Sequence, residues 1–554
     1  MSERAKKLLL VFPPLTVPTA PPLGVALLKG YIERELPQWQ VVILDLNVWL
    51  FNRLLQPGSL RGKLNRTTFP EAVLAEVALE KGAEVFRGGS QATEFYTAPE
   101  RYDLYGELFS RFTHAFGQEL AGYCRDFEHD AAPHPLITEM IGQIIAQKPH
   151  CVGLSLSYGD QLPAGITIGR ILRKKFGLKV IMGGSVFSGS PQQFLTTYPD
   201  VADLVVAGEG EAALKQYLSD GLEPAEVPGG NWLHNGLVRG NAPELCHDLD
   251  RLSPPDFSDC NLNNYYSPRP VIPLLLSRGC YWRRCTFCAH YRSAGMTYRR
   301  HGIDYVIAML RGFTERGIRH FAFIDEMISP AYFQKLAKGI REAGLDIAYY
   351  ALARPEKAFT PELLRQIAAS GCRFILWGVE SACQRILDLM DKGTQVAEVR
   401  KVLHDSAAAG IANHVYIICG FPTETPLELA ETVKFLMELR GSIHGVHRGP
   451  FVLQKDTPIY DAPEKYAITR VGVAGEDVLG GRCDFEVASG MTPTEARDIF
   501  NSLQPVFRAF SPYAPHLPNF RDHALLVYDK AGVSLRPDRR IFPHIVYPDG
   551  STQG

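Results

Sequence analysis

What the 554-residue chain lacks narrows its setting first. Neither charge is in excess: 58 basic against 60 acidic residues leave a net charge of -2, so no global electrostatic footprint for nucleic acid is expected. Long apolar runs are missing too. No stretch approaches the ~20 residues that span a bilayer, so no membrane partner is expected. The N-terminal run Leu8-Leu-Leu-Val-Phe12 is too short for a secretion signal. Without such a signal, the eleven cysteines read as reduced thiols of a cytoplasmic protein, and their odd number fits a disulfide framework badly. What the chain does have is length and a 46% hydrophobic share, enough for two or three domains with large cores.

Its most informative stretch is Ser277-Arg-Gly-Cys280-Tyr-Trp-Arg-Arg-Cys285-Thr-Phe-Cys288-Ala-His290, which follows the apolar run from Val271 to Leu276. Three thiols from one short loop at a strand end can ligate three irons of a 4Fe-4S cluster and leave the fourth iron open. Arg283 and Arg284 inside the loop favour thiolates. Structural zinc, with His290 as a fourth ligand, is the competing arrangement.

Strand-like and helix-like segments alternate in two blocks. Within residues 1–220, the runs 8–12, 41–46, 151–157, 179–182 and 202–206 read as strands of a parallel sheet, interrupted by a helical insert over about residues 50–148, with Phe69 to Leu79 as a sample of its spacing. Residues 221–270, rich in Pro, Asn and Asp, read as a surface linker. Residues 271–455 repeat the alternation, with strand candidates at 272–276, 320–324, 347–351, 374–379, 414–419 and 450–453, the pattern of a partial (β/α)6 barrel. In the remainder, 456–554, Thr492-Pro-Thr-Glu495 opens a helix through about Phe507, and 521–548 reads as short strands and turns. Polar groups gather after the strands of the second block: Asp325-Glu326, Arg354, Glu380-Ser381 and the segment from Gly420 to Thr425. Each could be a helix cap taken singly, but a barrel collects such loops at one face.

The cysteine loop, Phe323-Ile-Asp-Glu326, Trp377-Gly-Val-Glu-Ser381, Leu389-Met-Asp-Lys-Gly393 and Gly420-Phe-Pro-Thr-Glu-Thr425 together resemble the core of radical S-adenosylmethionine (SAM) enzymes. The usual gaps between the cysteines are three and two residues, whereas the first gap here holds four. The resemblance implies that Cys280, Cys285 and Cys288 hold the cluster. It places Phe287 near the adenine, Asp325 or Glu326 at the methionine ammonium, Glu380 and Ser381 at the ribose or methionine, and the backbone at Gly420 against the adenine. Arg354 is the candidate for the SAM carboxylate.

In the first block, Phe12-Pro-Pro14, Pro22 and Gly24, Ser155 and Ser157, Gly183, Gly184 and Ser185, and Gly208, Glu209 and Gly210 resemble the strand-end loops of the Rossmann-like cobalamin-binding domain that precedes many radical SAM cores. Gly208-Glu-Gly-Glu-Ala-Ala213 also fits a nicotinamide fingerprint, but after the fifth strand rather than the first. The Asp-x-His-x-x-Gly string that supplies a histidine to cobalt is absent, and Leu44-Asp-Leu-Asn47 stands in its place.

Both halves together imply a cobalamin-dependent radical SAM enzyme using a 4Fe-4S cluster, SAM and cobalamin. The activity expected is methyl transfer to an unactivated carbon of a peptide or secondary metabolite, with an electron donor such as flavodoxin or ferredoxin. Cyclisation, ring contraction or oxidation without methyl transfer is the alternative. A methylthiotransferase would need more N-terminal cluster cysteines, yet Cys124, Cys151, Cys246 and Cys260 stand far apart. Cys372, Cys383 and Cys419 read as buried thiols. Tyr349 and Tyr350 read as barrel-interior side chains, and His444, His447 and Arg448 as surface or supporting residues.

Overall fold

The computed structural model describes residues 6–56, 72–87, 92–128, 132–293, 295–473, 479 and 481–531. The first sheet contains β1 (Lys6–Phe12), β2 (Trp39–Asp45), β3 (Cys151–Ser155), β4 (Lys179–Gly183), β5 (Leu204–Val206), β6 (Gly230–His234) and β7 (Leu237–Gly240), in the order β2-β1-β3-β4-β5-β6-β7. Its first five strands are parallel and apolar along their length, because helices cover both faces. The order reverses between β1 and β3, so the loops after these two strands diverge and leave a crevice where such sheets bind ligands. The hairpin β6–β7 extends the sheet in antiparallel fashion. It lies in the segment expected to be a surface linker. Its pattern is hard to read because Gly230-Asn-Trp-Leu-His234 is short and mixes glycine and polar residues with apolar ones.

The second sheet opens with β8 (Val271–Leu274). The short antiparallel pair β9 (Ser277–Gly279) and β10 (Tyr298–Arg300) follows outside it, and then come β11 (His320–Phe323), β12 (Ala348–Ala353), β13 (Cys372–Glu380), β14 (Ala412–Cys419) and β15 (Gly445–Pro450). These six strands are parallel, in the order β15-β14-β13-β12-β11-β8, which is the expected partial barrel. The sixth strand covers Gly445–Pro450 instead of 450–453. Glycines and charged residues hid it, since it is an edge strand with one face on a polar cavity. A three-stranded antiparallel sheet, β16 (Leu453–Gln454), β17 (Ile468–Val473) and β18 (Arg482–Val487), adjoins it.

Between β2 and β3, the helices Leu46–Leu54, Ala72–Phe86, Ala92–Thr97, Pro99–Glu128 and Pro135–Ala146 form the helical insert; residues 69–71 of its sample run lie outside the described residues. In the tail, Arg521–Ala531 is a helix rather than strands and turns, and 532–554 lies outside the described residues. Its run Ala524-Leu-Leu-Val-Tyr528 reads as a strand because a helix buried on every side shows no polar face. This helix packs on β11, β12 and β13, and its Leu525 and Tyr528 share one core with Tyr350 and Phe374 of the barrel and Phe86 and Tyr102 of the insert. The barrel interior is thus filled by the C-terminal helix. Asp529 anchors one end, accepting from Arg373 (2.8 Å), His320 (3.0 Å) and Arg319 (3.4 Å). Asp522 at the other end accepts from Thr19 Oγ1 (2.7 Å) of the loop after β1.

Candidate active site

Asp325 holds the base of the cysteine loop. Fully buried at the end of β11, it accepts from Leu276 N (3.1 Å) and Ser277 Oγ (2.5 Å), and burial lifts its carboxyl to about 6 against these hydrogen bonds. It is therefore committed to bracing the loop, whereas Glu326 beside it is exposed and 3.5 Å from His290 Nδ1. The β9–β10 pair then closes residues 280–297 into one excursion carrying all three cysteines, each half-buried.

This excursion is fastened to residues 389–393. Trp282 Nε1 donates to Asp391 O (2.7 Å), Arg284 pairs with Asp391 (3.0 Å), and Thr286 donates from N to Met390 O (2.9 Å) and from Oγ1 to Leu389 O (3.1 Å). A Cβ on Gly393, at φ 65°, would fall 2.0 Å from the Trp282 ring. The longer first gap turns at Arg283, at φ 56°, whose guanidinium reaches back to Met296 O (2.8 Å). Arg354 stacks on Trp282 (3.9 Å) and donates to Lys392 O (3.1 Å), Gly393 O (2.9 Å) and Glu356 (2.5 Å). Its guanidinium is a strut for the loop and is not presented to a ligand carboxylate as expected.

Glu380 sits where β13 slips register against β14 between Gly378 and Glu380, with φ 66°. Bulges and left-handed non-glycine residues of this kind re-aim side chains and cluster at functional sites. Its carboxylate meets Lys392 Nζ at 2.8 Å in a nearly dry pair. Burial pushes the Lys392 ammonium down, but Glu380 and the nearby Cys285 outweigh it and raise its pKa. Phe287 lies 6.0 Å from the same ammonium. Lys392 was within the quoted motif but unassigned, because nothing in the sequence shows that it folds under Glu380. Ser381 is buried and accepts from Cys383 N (3.1 Å), so its hydroxyl shapes the turn. Gly420, at φ 75°, donates to Glu424 Oε2 (2.7 Å); Glu424 is fully buried, and burial lifts it to about 7 against that bond.

In the first block, the ends of β3 and β4 form an open ledge of small residues. Gly184 and Ser185 are exposed, Ser155, Ser157 and Gly183 half-buried, and Ser185 Oγ donates to Ser157 O (2.8 Å). Gly24, exposed, has Ser155 Oγ as the nearest neighbour to a Cβ, at 3.8 Å, and Pro22 precedes it half-buried. A side chain on Gly184 would strike Leu156 O at 2.1 Å, so only glycine lets these two loops lie together. Gln161, unforeseen from sequence, joins the loops after β1 and β3: it donates to Pro13 O (2.5 Å) and accepts from Ser157 N (2.8 Å). Tyr158 is 55% exposed at the ledge, near enough to Arg521 and Asp522 for both to act on its phenol.

The loop after β5 is used otherwise. Glu209 pairs with Arg299 (2.6 Å) and Arg278 (3.0 Å), Glu211 with Arg278 (2.5 Å), and Gly208 and Gly210 pack on Pro243 and Leu28. These residues clamp the first block to the cysteine hairpin instead of facing the ledge.

The donor sets suit the implied groups. Three half-exposed thiols lie on one closed loop beside a buried ammonium, and an open, small-residue ledge at a topological switch point can take a broad flat ring. Among the described residues no three His, Cys, Asp or Glu side chains converge closely enough to hold a single metal ion, the three cysteines and His290 included. Cys124 and Cys151 are buried. No helix among the described residues is long and apolar enough to cross a membrane.

A family model for the radical SAM superfamily matches residues 274–436, and one for the B12 binding domain matches residues 118–218. The chain is 28% identical to an uncharacterised methyltransferase of Pyrococcus horikoshii over 56% of this chain and 69% of that protein. It is 30% identical to bacteriochlorophyllide d C-12(1)-methyltransferase of Chlorobaculum tepidum (35% and 43%) and 27% identical to anaerobic magnesium-protoporphyrin IX monomethyl ester cyclase of Cereibacter sphaeroides (46% and 44%). The match thus spans less than half the length of the latter two. Among solved structures, the fold is shared with the cobalamin-dependent S-adenosylmethionine radical enzyme OxsB (TM-score 0.63, 17% identity, 92% of this chain and 67% of that one). It is also shared with the radical S-adenosylmethionine methyltransferase TsrM from Kitasatospora setae (0.53, 15%, 89% and 84%). This chain thus carries a B12-binding domain ahead of a radical SAM domain and shares its fold with cobalamin-dependent radical SAM enzymes; the radical SAM domain implies a 4Fe-4S cluster and SAM, and the B12-binding domain implies cobalamin.

Proposed function

We propose that the protein is a C-methyltransferase acting on an unactivated carbon of a small metabolite or peptide. What supports this reading is a B12-binding domain ahead of a radical SAM domain, together with relatives named as methyltransferases. When bound, the cluster with SAM supplies a 5'-deoxyadenosyl radical able to abstract hydrogen, and cobalamin supplies the methyl group.

The chain's own residues bind, orient and exclude. Cys280, Cys285 and Cys288 are the cluster ligands in this reading, and Arg354, Trp282 and Asp391 fix the loop that carries them. Glu326, exposed, is better placed for a methionine ammonium than the buried Asp325. Glu380, paired with Lys392 at 2.8 Å, offers its remaining acceptor sites to hydroxyl or ammonium groups. Gly24, Ser155, Ser157, Gly183, Gly184 and Ser185 hold the cobalamin, and Asp45, which stands where other cobalamin domains have the start of a histidine motif, caps the next helix through Val48 N (2.9 Å) and supplies no histidine. Members of this class draw their electron from an external donor, here a flavodoxin or ferredoxin.

Ring formation or contraction without methyl transfer is the second reading, favoured by the cyclase among the relatives. Anaerobic reconstitution with iron, sulfide and cobalamin, followed by SAM and a reductant, separates them. Methyl transfer gives both 5'-deoxyadenosine and S-adenosylhomocysteine; 5'-deoxyadenosine alone supports the second reading. Neither product would overturn both.

A further inference from the structure

A cavity of about 490 Å³ opens at the C-terminal ends of β13, β14 and β15, roofed by the helices Pro493–Ser502 and Gln504–Arg508. That volume suits a small molecule. Its walls carry Glu380, Tyr416, His447, Arg448, Gln504 and Arg508. The charges on these walls do not cancel. Arg448 donates to Gln504 Oε1 (2.6 and 3.2 Å) and Val446 O (3.0 Å), all neutral acceptors. Arg508 is exposed and forms no ion pair among the described residues; Glu107, the carboxylate on which it acts at longer range, is already shared by Arg111 and His516. Arg521, behind the wall, donates to the Tyr416 hydroxyl. The one carboxylate on the walls, Glu380, is neutralised by Lys392. His447 adds no charge, since burial and the guanidiniums of Arg521 and Arg448 hold it at about 3, and burial with Arg508 lowers Arg448 itself.

Two guanidiniums directed at one small cavity without a counter-ion are the arrangement that binds carboxylate or phosphate oxygens. SAM carries a carboxylate of its own, so the anion meant here is one that binds with the SAM position already filled. Building on the proposed reaction at this barrel mouth, we infer that the substrate is an anion, a carboxylate- or phosphate-bearing small molecule seated by Arg448 and Arg508, with Gln504 fixing the Arg448 fork.

The test uses the holoenzyme, loaded with cluster and cobalamin and saturated with S-adenosylhomocysteine, so that the cofactors' own groups are in place. Calorimetric titration with inorganic phosphate and with malonate is expected to show one saturable site per chain for at least one of them, weakened tenfold or more by Arg508→Gln and by Arg448→Gln. Arg400→Gln, which removes a surface guanidinium paired with Glu438 (2.7 Å), is the charge control and leaves binding unchanged. Tighter phosphate binding identifies a phosphorylated substrate, and tighter malonate binding a carboxylated one. Iron and cobalt contents report that each variant is folded; Arg508, being exposed, carries the test if Arg448→Gln is not. Absence of binding by either anion to the loaded wild type, or undiminished binding by Arg508→Gln, overturns the inference. Titration does not depend on turnover: anion binding without S-adenosylhomocysteine formation in the product assay would remove the methyl-transfer reading and leave the anion site standing.

Discussion

Lys392 and Glu380 show how much one buried pair controls. Removing one partner of such a pair strands a charge and costs about 3–5 kcal/mol, whereas removing both costs far less. Lys392→Met should therefore lower stability by about 3 kcal/mol in chemical denaturation, and Glu380→Gln combined with it should recover most of the loss. Glu424 makes a prediction about pH. Its carboxyl rises from an ordinary 4.5 to about 7 in the fold, so the folded state binds the extra proton and stability falls as pH climbs from 4.5 through 7. Glu424→Gln, which keeps an acceptor for Gly420 N, should abolish that fall: the stability difference between variant and wild type should grow in the variant's favour by about 3 kcal/mol between pH 4 and pH 8. The residues themselves were unevenly legible. Cysteine spacing is a local property and announces a metal loop by itself. The roles of Lys392 and Arg354 depend on what the 389–393 segment meets in space, and no local pattern records that.

Among the elements, alternating apolar and amphipathic segments disclosed both sheets, because strands buried on two faces are apolar throughout. Thr492 also caps its helix in the expected box with Glu495, although Pro505 divides the helix earlier than the spacing suggested. Besides the hairpin β6–β7, a strand and a helix escaped. Strand β15 is polar on the face that lines the cavity, and the helix Arg521–Ala531 carries the unbroken apolar run 524–528 because that stretch is buried on every side. That helix hangs on Asp529, whose carboxyl is held well below its usual range: burial opposes ionisation, but His320, Arg373 and Arg319 outweigh it. Asp529→Asn should cost about 2 kcal/mol at pH 7. Because the folded pKa is depressed, the wild type's advantage over the variant should be full above pH 5 and shrink as pH falls below 4, a trend that acid titration of both proteins by circular dichroism would check.

Across the whole molecule, the two blocks meet through Glu209, Glu211, Arg278 and Arg299, and Arg278 lies two residues before Cys280, the first cysteine of the loop. The clamp therefore sets where the cysteine loop stands relative to the cobalamin ledge. Arg278→Met leaves two carboxylates facing Arg299 alone. It should lower the melting temperature and also the product yield, with Glu211→Gln in the same chain restoring the melting temperature first; scanning calorimetry alongside the product assay would separate the two effects.

The helix inside the barrel also imposes an order in time. The cysteines leave the ribosome long before Arg521–Ala531 exists, so the barrel is made hollow, with its metal loop already synthesised and its filling still to come. Thr19 waits longer still, since its partner Asp522 is nearly the last described part of the chain. The barrel is closed from within by residues made long after its strands, and the N-terminal loop holding Thr19 meets its partner only when they arrive.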